Sequence, residues 1–237
     1  MKGMIFAAGL GTRFKPWTDH HPKALAVVNG KSLLQRNVEY LQQYGITDLV
    51  VNVHHFADQV LKKIQENKSW GSHISISDEK PELLETGGGL KKASWFFDEG
   101  PFVVMNADIL TDMDLGKMIA FHQLNKPIAT LATTKRKTSR YFLFDEDNQL
   151  CGWENSKTGD KKISIQKQPL SQRAFSGIHI ISPQIFPMMK QTGKFSIVDV
   201  YLDICKTSAV KSFDHSGSNL VDVGRTESLA EAEKIFQ

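Results

Sequence analysis

Short apolar runs alternate with amphipathic segments along the first half of the chain, and this alternation restricts the fold more than any other feature. Met4–Ala8, Asp48–Val53, Phe102–Met105 and Ile128–Thr133 are such runs, and Ile74 and Ile76 mark another by alternating with polar neighbours. Runs of this length, bounded by glycine or polar turns, are buried strands. Between them Leu34, Val38 and Leu41 recur at helical spacing before a stop at Gly45. Val60, Leu61 and Ile64 mark a second helix, the stretch that follows Gly87–Gly89 and runs through Phe97 a third, and Leu115–Leu124 a fourth. Repeated βα units predict an α/β fold built on a doubly wound, mainly parallel, Rossmann-like sheet. Ligands of such sheets bind beyond the carboxyl ends of the strands. Chemistry is therefore expected in residues that directly follow strands.

From about Thr134 the pattern changes. Tyr141–Phe144 and Leu150–Trp153 flank Asp-Glu-Asp-Asn-Gln as a hairpin would, and 155–162 reads as an exposed polar loop. Phe175–Ile181 is strand-like, 184–190 and 197–206 helical, Leu220–Val223 a short strand end and 226–236 a closing helix. With no repeat and no linker composition, one domain over 1–237 is expected, its halves dividing into 1–133 and 134–237, the second carrying a small β-rich insertion.

The chain's 237 residues carry a net charge of +3, too small for a broad nucleic-acid-binding surface. Basic residues are better expected at local phosphate sites. Two cysteines, Cys151 and Cys205, fit neither a disulfide framework nor a metal cluster, so a reducing compartment is expected. The first apolar run is too short for a signal peptide or membrane span, which points to a cytoplasmic protein without membrane association.

Gly9-Leu-Gly-Thr-Arg13 directly follows the first strand, with Pro22-Lys23 downstream. Glycines there let a backbone approach phosphate oxygens and offer them N–H groups, Arg13 adds a multidentate donor and Lys23 a point charge. Phe14 occupies the third glycine position of a dinucleotide fingerprint and no P-loop pattern is present, which argues against both. Asn106-Ala-Asp108 follows another strand and Asp222 lies in Val-Asp-Val-Gly224. Two carboxylates so placed suit Mg²⁺, although each is also a plausible turn or cap residue. Leu84-Glu-Thr-Gly-Gly-Gly-Leu90 invites close backbone packing against a flat base or sugar, or a flexible loop.

The set G-L-G-T-R, P-K, E-T-G-G-G, N-x-D, F-S-G-I and V-D-V-G, in that order across nearly the whole chain, resembles the sugar-1-phosphate nucleotidylyltransferases. The E-T-G-G-G-L element, the short length and the ending V-D-V-G-R-T-E-S-L-A-E-A-E most resemble the N-acetylmuramate 1-phosphate uridylyltransferases of cell-wall recycling, with the mannose-1-phosphate guanylyltransferases next. The resemblance implies a nucleoside triphosphate and a sugar 1-phosphate as partners, Mg²⁺ as cofactor, and a monomer or homo-oligomer. By the same resemblance, 1–133 is the nucleotide half and 134–237 the sugar-phosphate half. It further implies that Ala8, Gly9, Gly11, Thr12 and Gly88 line the nucleotide, that Arg13 holds the β- and γ-phosphates and Lys23 the α-phosphate, and that Asp108 and Asp222 hold the metal. Arg13, Lys23 and Asp108 would be the catalytic groups. Glu85, Asn106, Arg140, Ser196 and Asp199 are the candidates on the sugar side, Ser196 being equally suited to cap a helix. Two departures stand out. Pro22-Lys-Ala-Leu25 replaces the usual P-K-P-L, and the V-E-K-P element, whose lysine meets the sugar phosphate in larger members, is missing. Arg140 is a weak substitute for that lysine.

His20-His21 and His54-His55 are read as surface pairs, Lys135-Arg-Lys137 as a solvated run able to attract an anion, and Trp70, Trp95 and Trp153 as packing residues. A non-catalytic nucleotide-sensing subunit, a cytidylyltransferase acting on a phosphocholine-type acceptor and a nicotinamide-dependent oxidoreductase remain as rivals. Retained Arg13, Lys23, Asp108 and Asp222 disfavour the first, and Phe14 the last.

Overall fold

The computed structural model describes residues 1–80, 82–97 and 100–237. The chain opens with β1 (Gly3–Phe6), β2 (Val27–Val28) and β3 (Lys31–Ser32), the latter two forming a small hairpin of their own. Helix α1 (Leu33–Gln42) starts where the Ser32 hydroxyl accepts from the Gln35 amide at 3.2 Å, and ends before Gly45, whose φ of 71° reverses the chain. Then come β4 (Asp48–Val53), α2 (Ala57–Glu66), β5 (His73–Asp78), α3 (Glu85–Lys92), β6 (Phe102–Asn106), β7 (Ile109–Thr111), α4 (Leu115–Asn125) and β8 (Ala129–Thr134). The second half holds β9 (Arg140–Phe144), β10 (Leu150–Asn155), β11 (Lys161–Ile163), β12 (Ser171–Ile181), α5 (Ile185–Met188), α6 (Ile197–Ile204), β13 (Val210–Asp214), β14 (Leu220–Asp222) and α7 (Glu227–Ile235).

Ten of the described strands form one sheet. Its path runs β11-β10-β9-β12-β6-β1-β4-β5, with β8 pairing β12 and β13 pairing β8. β6, β1, β4 and β5 are mutually parallel, as continuous apolar strands covered on both faces should be. β12 runs antiparallel to β6, β8 and β9, and so joins this parallel block to the insertion. One face is closed by Leu34, Val38 and Leu41 of α1, Val60 and Ile64 of α2, and Leu115 and Met118 of α4. The other is closed by Leu90 of α3 and by Ile197, Val200, Tyr201 and Ile204 of α6. Helices on both faces make the sheet doubly wound.

Several elements differ from expectation. The glycine run 87–89 lies inside α3 rather than ahead of it. β13 was not foreseen: Val210-Lys-Ser-Phe-Asp214 is too polar to stand out, yet it pairs parallel with β8. β7 was hidden behind Asn106-Ala-Asp108, and β11 takes up the end of the polar stretch 155–162. The C-terminal stretch returns to the first half: β14 pairs β7, and Val221, Val223 and Ala232 pack with Phe14, Val28 and Leu33. Trp70 and Trp153 pack against the cores, whereas Trp95 is 62% exposed. Cys151 and Cys205 are buried free thiols, and no described helix is long and apolar enough to cross a membrane.

Three histidines are buried: His122 on α4, His179 on β12 and His215 just after β13. His122 is hydrogen-bonded to Thr130 and Ser182, His179 to Tyr201 and His215 to Ser176. Burial lowers their pKa values to about 4, about 3 and about 4, so each folds as a neutral imidazole. A folded pKa below the unfolded value means that the unfolded chain takes up more protons. Stability is therefore full above the unfolded value near 6.5 and falls as pH drops towards the folded values. Between pH 6.5 and 5 the loss is roughly 2 kcal/mol per histidine. Urea midpoints at pH 7.5 and 5.0 should differ markedly; equal midpoints would contradict neutral burial.

Candidate active site

The site is built where β1, β4, β5 and β6 end. The Ala7 amide donates to Asn52 Oδ1 at 2.7 Å, Asn52 Nδ2 donates to Glu79 Oε1 at 2.6 Å, and Glu79 Oε2 accepts from the Leu84 amide at 2.9 Å. Glu79 is 1% exposed. This buried relay ties the turn after β1 to the start of α3, and burial of a carboxylate is tolerable only because its oxygens are so occupied. An asparagine within the apolar strand 48–53 was the available signal for it, and sequence reasoning passed over it.

Beyond Ala7 the loop opens. A Cβ on Gly9 would meet no atom within 4 Å, which leaves its face free for a ligand. Gly11 adopts φ 61°, with Thr18 Cγ2 2.9 Å and Lys23 Cβ 3.1 Å from where a Cβ would lie. Its carbonyl accepts from the Phe14 amide at 2.7 Å and the Thr18 hydroxyl at 2.9 Å. The left-handed residue thus folds the loop against Lys23 and starts the 3-10 turn Thr12–Phe14, on which Thr12 and Arg13 are exposed.

Two carboxylates converge on the same region. The Asp108 carbonyl accepts from the Val223 amide at 2.8 Å, and Ile109 stands opposite Asp222 in the β7–β14 ladder. Lys23 Nζ lies 2.5 Å from Asp108 Oδ2. Gly224 permits the approach of the other cation: a Cβ there would lie 2.8 Å from Asp222 Oδ1 and 3.2 Å from Arg13 Nη2. Asp222 is exposed, yet enough protein surrounds it to desolvate its carboxyl. Desolvation first, and the Asp108 charge second, push its carboxyl up from the ordinary value, opposed by Lys23, Arg13 and Arg136. A carboxylate whose proton affinity is raised by a second carboxylate beside it suits a shared cation. Among the described residues no group of three or more histidine, cysteine or carboxylate side chains is gathered to hold a metal. An ion here would rest on this pair and fill its remaining positions with phosphate oxygens and water, the arrangement Mg²⁺ favours.

A cleft of about 370 Å³ lies among these groups, lined by Ala8, Gly9, Lys23, Glu85, Asn106 and Asp108 from the sequence candidates, and by Phe6, Asn52, Glu79, Leu83 and Thr86 besides. Eight candidates are not on its lining: Gly11, Thr12, Arg13 and Asp222 belong to the loop and strand end described above, and four others lie elsewhere. Gly88 is buried within α3, and the space a Cβ would take is filled by the Gly193 carbonyl. The α3 glycines thus make room for the chain's own atoms: Gly88 for the Gly193 carbonyl, Gly87 for Phe195 and Gly89 for the Glu79 carboxylate. Ser196 caps α6, its hydroxyl accepting from the Val198 amide at 3.2 Å. Asp199 pairs with Lys162 at 2.8 Å over a separate depression. Arg140 is exposed at the outer end of β9, opposite Asn155.

The family described as nucleotidyl transferase matches residues 2–237. An N-acetylmuramate alpha-1-phosphate uridylyltransferase of Caulobacter vibrioides is 46% identical over 107 residues, 44% of each chain. One of Neisseria meningitidis serogroup B is 28% identical over 235 residues, 99% of this chain and 98% of that protein. A mannose-1-phosphate guanyltransferase of Yarrowia lipolytica is 30% identical over 246 residues, covering 100% of this chain but 64% of its own length. Among solved structures, HddC from Yersinia pseudotuberculosis complexed with GMP-PN superposes with a TM-score of 0.80 at 24% identity, over 100% of this chain and 99% of that one.

Proposed function

Because the chain belongs to the nucleotidyl transferase family, and within it to the sugar-1-phosphate nucleotidyltransferases, we propose that its substrates are UTP and N-acetylmuramate 1-phosphate. The observation carrying this choice is the pair of relatives described as N-acetylmuramate alpha-1-phosphate uridylyltransferase, one 46% identical over 107 residues and the other 28% identical over 235. The Yarrowia guanyltransferase's full coverage of this chain keeps GTP with mannose 1-phosphate as the second reading.

The reaction is an in-line displacement. An oxygen of the sugar phosphate bonds to the α-phosphorus of the triphosphate, the bond from that phosphorus to the β-phosphate oxygen breaks, and pyrophosphate leaves with the electron pair. The attacking oxygen is already anionic, so no general base is needed, and catalysis comes from alignment and charge neutralisation. Gly9 and Gly11 present backbone to the nucleotide, and Arg13 receives the leaving β- and γ-phosphates. Lys23, paired with Asp108, turns to the α-phosphate. Asp108 and Asp222 would hold a Mg²⁺ ion, whose bound form supplies charge neutralisation at the reacting phosphates. Pyrophosphate release across a matrix of nucleoside triphosphates against sugar 1-phosphates tests the choice. The highest kcat/KM should fall on UTP with N-acetylmuramate 1-phosphate; a maximum at GTP with mannose 1-phosphate would transfer it to the second reading.

A further inference from the structure

The missing V-E-K-P lysine leaves the acceptor phosphate without an assigned cation, and the end of β8 supplies one. Within Lys135-Arg-Lys137 only Arg136 is half-buried; both lysines are exposed. Its Nη2 donates to the Phe175 carbonyl at 2.9 Å. That carbonyl lies at a break in β12, whose register against β8 shifts between Phe175 and His179. Gly177 makes the break possible: its φ is 72°, and a Cβ there would come 2.8 Å from Asn106 Nδ2. The bulge thus links the Arg136 anchor to the strand end that carries Asn106 and Asp108.

Around this anchor lie polar atoms without partners. Arg136 Nε, Thr134 Oγ1 and His215 Nδ1 are all buried and unpaired among the described residues. His215 is held beside them, its amide donating to the Thr133 carbonyl at 2.9 Å and its Nε2 hydrogen-bonded to Ser176 at 2.7 Å. Orphaned polar groups gathered at one place are costly unless a ligand or water completes them. The Arg136 charge also reaches Asp222 and His215, opposing protonation of the first and disfavouring it on the second. Yet no described ion pair within 4.0 Å joins Arg136 to a carboxylate. The other two cations near the site, Lys23 beside Asp108 and Arg13 near Asp222, are assigned to the triphosphate.

We propose that Arg136 receives the phosphate of the sugar 1-phosphate, on the acceptor side of the Asp108–Asp222 pair. The assignment rests on the reading of the chain as a sugar-1-phosphate nucleotidyltransferase. β8 is parallel to β13 and antiparallel to β12, which is itself antiparallel to β6. Arg136 therefore emerges on the same sheet edge as Asn106–Asp108, where substrates of such sheets bind. An arginine held by a backbone carbonyl keeps its remaining N–H groups for bidentate phosphate contact.

Steady-state kinetics of the full chain with UTP and N-acetylmuramate 1-phosphate, and with GTP and mannose 1-phosphate, test this. Arg136→Ala should raise KM for the sugar phosphate about 30-fold or more while KM for the triphosphate stays within about three-fold, the signature of a lost acceptor contact. Arg136→Lys should recover part of the loss, Arg140→Ala should behave as wild type, and the Mg²⁺ concentration giving half-maximal rate should not move. An unchanged acceptor KM in Arg136→Ala, an effect carried by Arg140→Ala, or a shift in metal dependence instead would overturn the assignment. Should the alanine variant not fold, Arg136→Lys with inorganic phosphate as competitive inhibitor serves: inhibition must weaken, and equal inhibition refutes the contact. A wild-type chain that couples no sugar 1-phosphate would remove the parent reading and this one together. Wild-type turnover with an indifferent Arg136 removes this one alone.

Discussion

Asp108→Asn is expected to lower kcat by about a thousand-fold or more with little change in thermal stability. The substitution keeps size and hydrogen-bonding shape but removes the charge that Lys23 pairs with at 2.5 Å and that Asp222 senses. Three consequences follow at the site. A Mg²⁺ ion loses one of two anionic ligands, Lys23 loses its resting partner, and the pair no longer concentrates negative charge beside the reacting phosphates. Stability is nearly indifferent because two effects oppose one another. The ion pair is partly exposed, with side chains 12% and 25% accessible, and pairs of that kind contribute about 1 kcal/mol or less. Relief of the repulsion between Asp108 and Asp222 acts in the opposite direction. The bond that locates the residue, from the Val223 amide to the Asp108 carbonyl, uses backbone alone and survives. Turnover and a thermal melt on one preparation check both halves; near-normal turnover would remove Asp108 from the catalytic machinery.

Gly88→Ala is expected to destabilise the fold by about 2 kcal/mol or more, although alanine is the better helix former. Helix propensity alone favours alanine by about 1 kcal/mol within α3. Against that, the new methyl collides with the Gly193 carbonyl oxygen and lies 2.9 Å from Leu84 Cβ. A backbone oxygen cannot swing aside as the tip of a side chain can, so relief requires α3 or the 193–195 segment to move. That segment also accepts the Gly87 and Gly88 amides at the Phe195 carbonyl, at 2.9 and 3.2 Å. Displacement would carry Glu85 and Thr86, which line the cleft, and so weaken nucleotide binding as well. Urea unfolding of both proteins decides it: a stabilised Gly88→Ala would show that propensity outweighs the collision.

These two cases show how much of the molecule the sequence reveals and where reading stops. Strands such as 48–53 and 102–106 declare themselves because burial on both faces demands continuous apolar residues. The loop from Gly9 to Arg13 and Asp108 stand out in the sequence because they follow strands and carry the charge or conformational freedom that a phosphate site would need, and Lys23 stands out through Pro22-Lys23 downstream of that loop. The α3 glycines are visible as an anomaly, but their causes are tertiary: Gly87 and Gly88 meet Phe195 and Gly193, more than a hundred residues on, and Gly89 meets Glu79 and Asn52, none of which a local pattern encodes. β13 was missed for a related reason: Lys211 and Asp214 mask its strand character, and its place is fixed by pairing with β8. Arg136 stayed hidden within a charged run because its distinction from Lys135 and Lys137 is burial against the Phe175 carbonyl. Ser196, Asp199 and Arg140 carry suitable chemistry, but α6 and the β9–β10 hairpin turn them to a helix cap, an ion pair with Lys162 and solvent.

The central claim is nucleotidyl transfer from a triphosphate to a sugar phosphate at the Asp108–Asp222 carboxylates. Following α-³²P- and γ-³²P-labelled UTP separately, with N-acetylmuramate 1-phosphate and Mg²⁺, tests it most directly. The α-label should pass into a nucleotide sugar and the γ-label into pyrophosphate in equal amounts, only when the sugar phosphate is present. Pyrophosphate formed equally without the acceptor, or an α-label that stays in UTP with every sugar 1-phosphate offered, would contradict it.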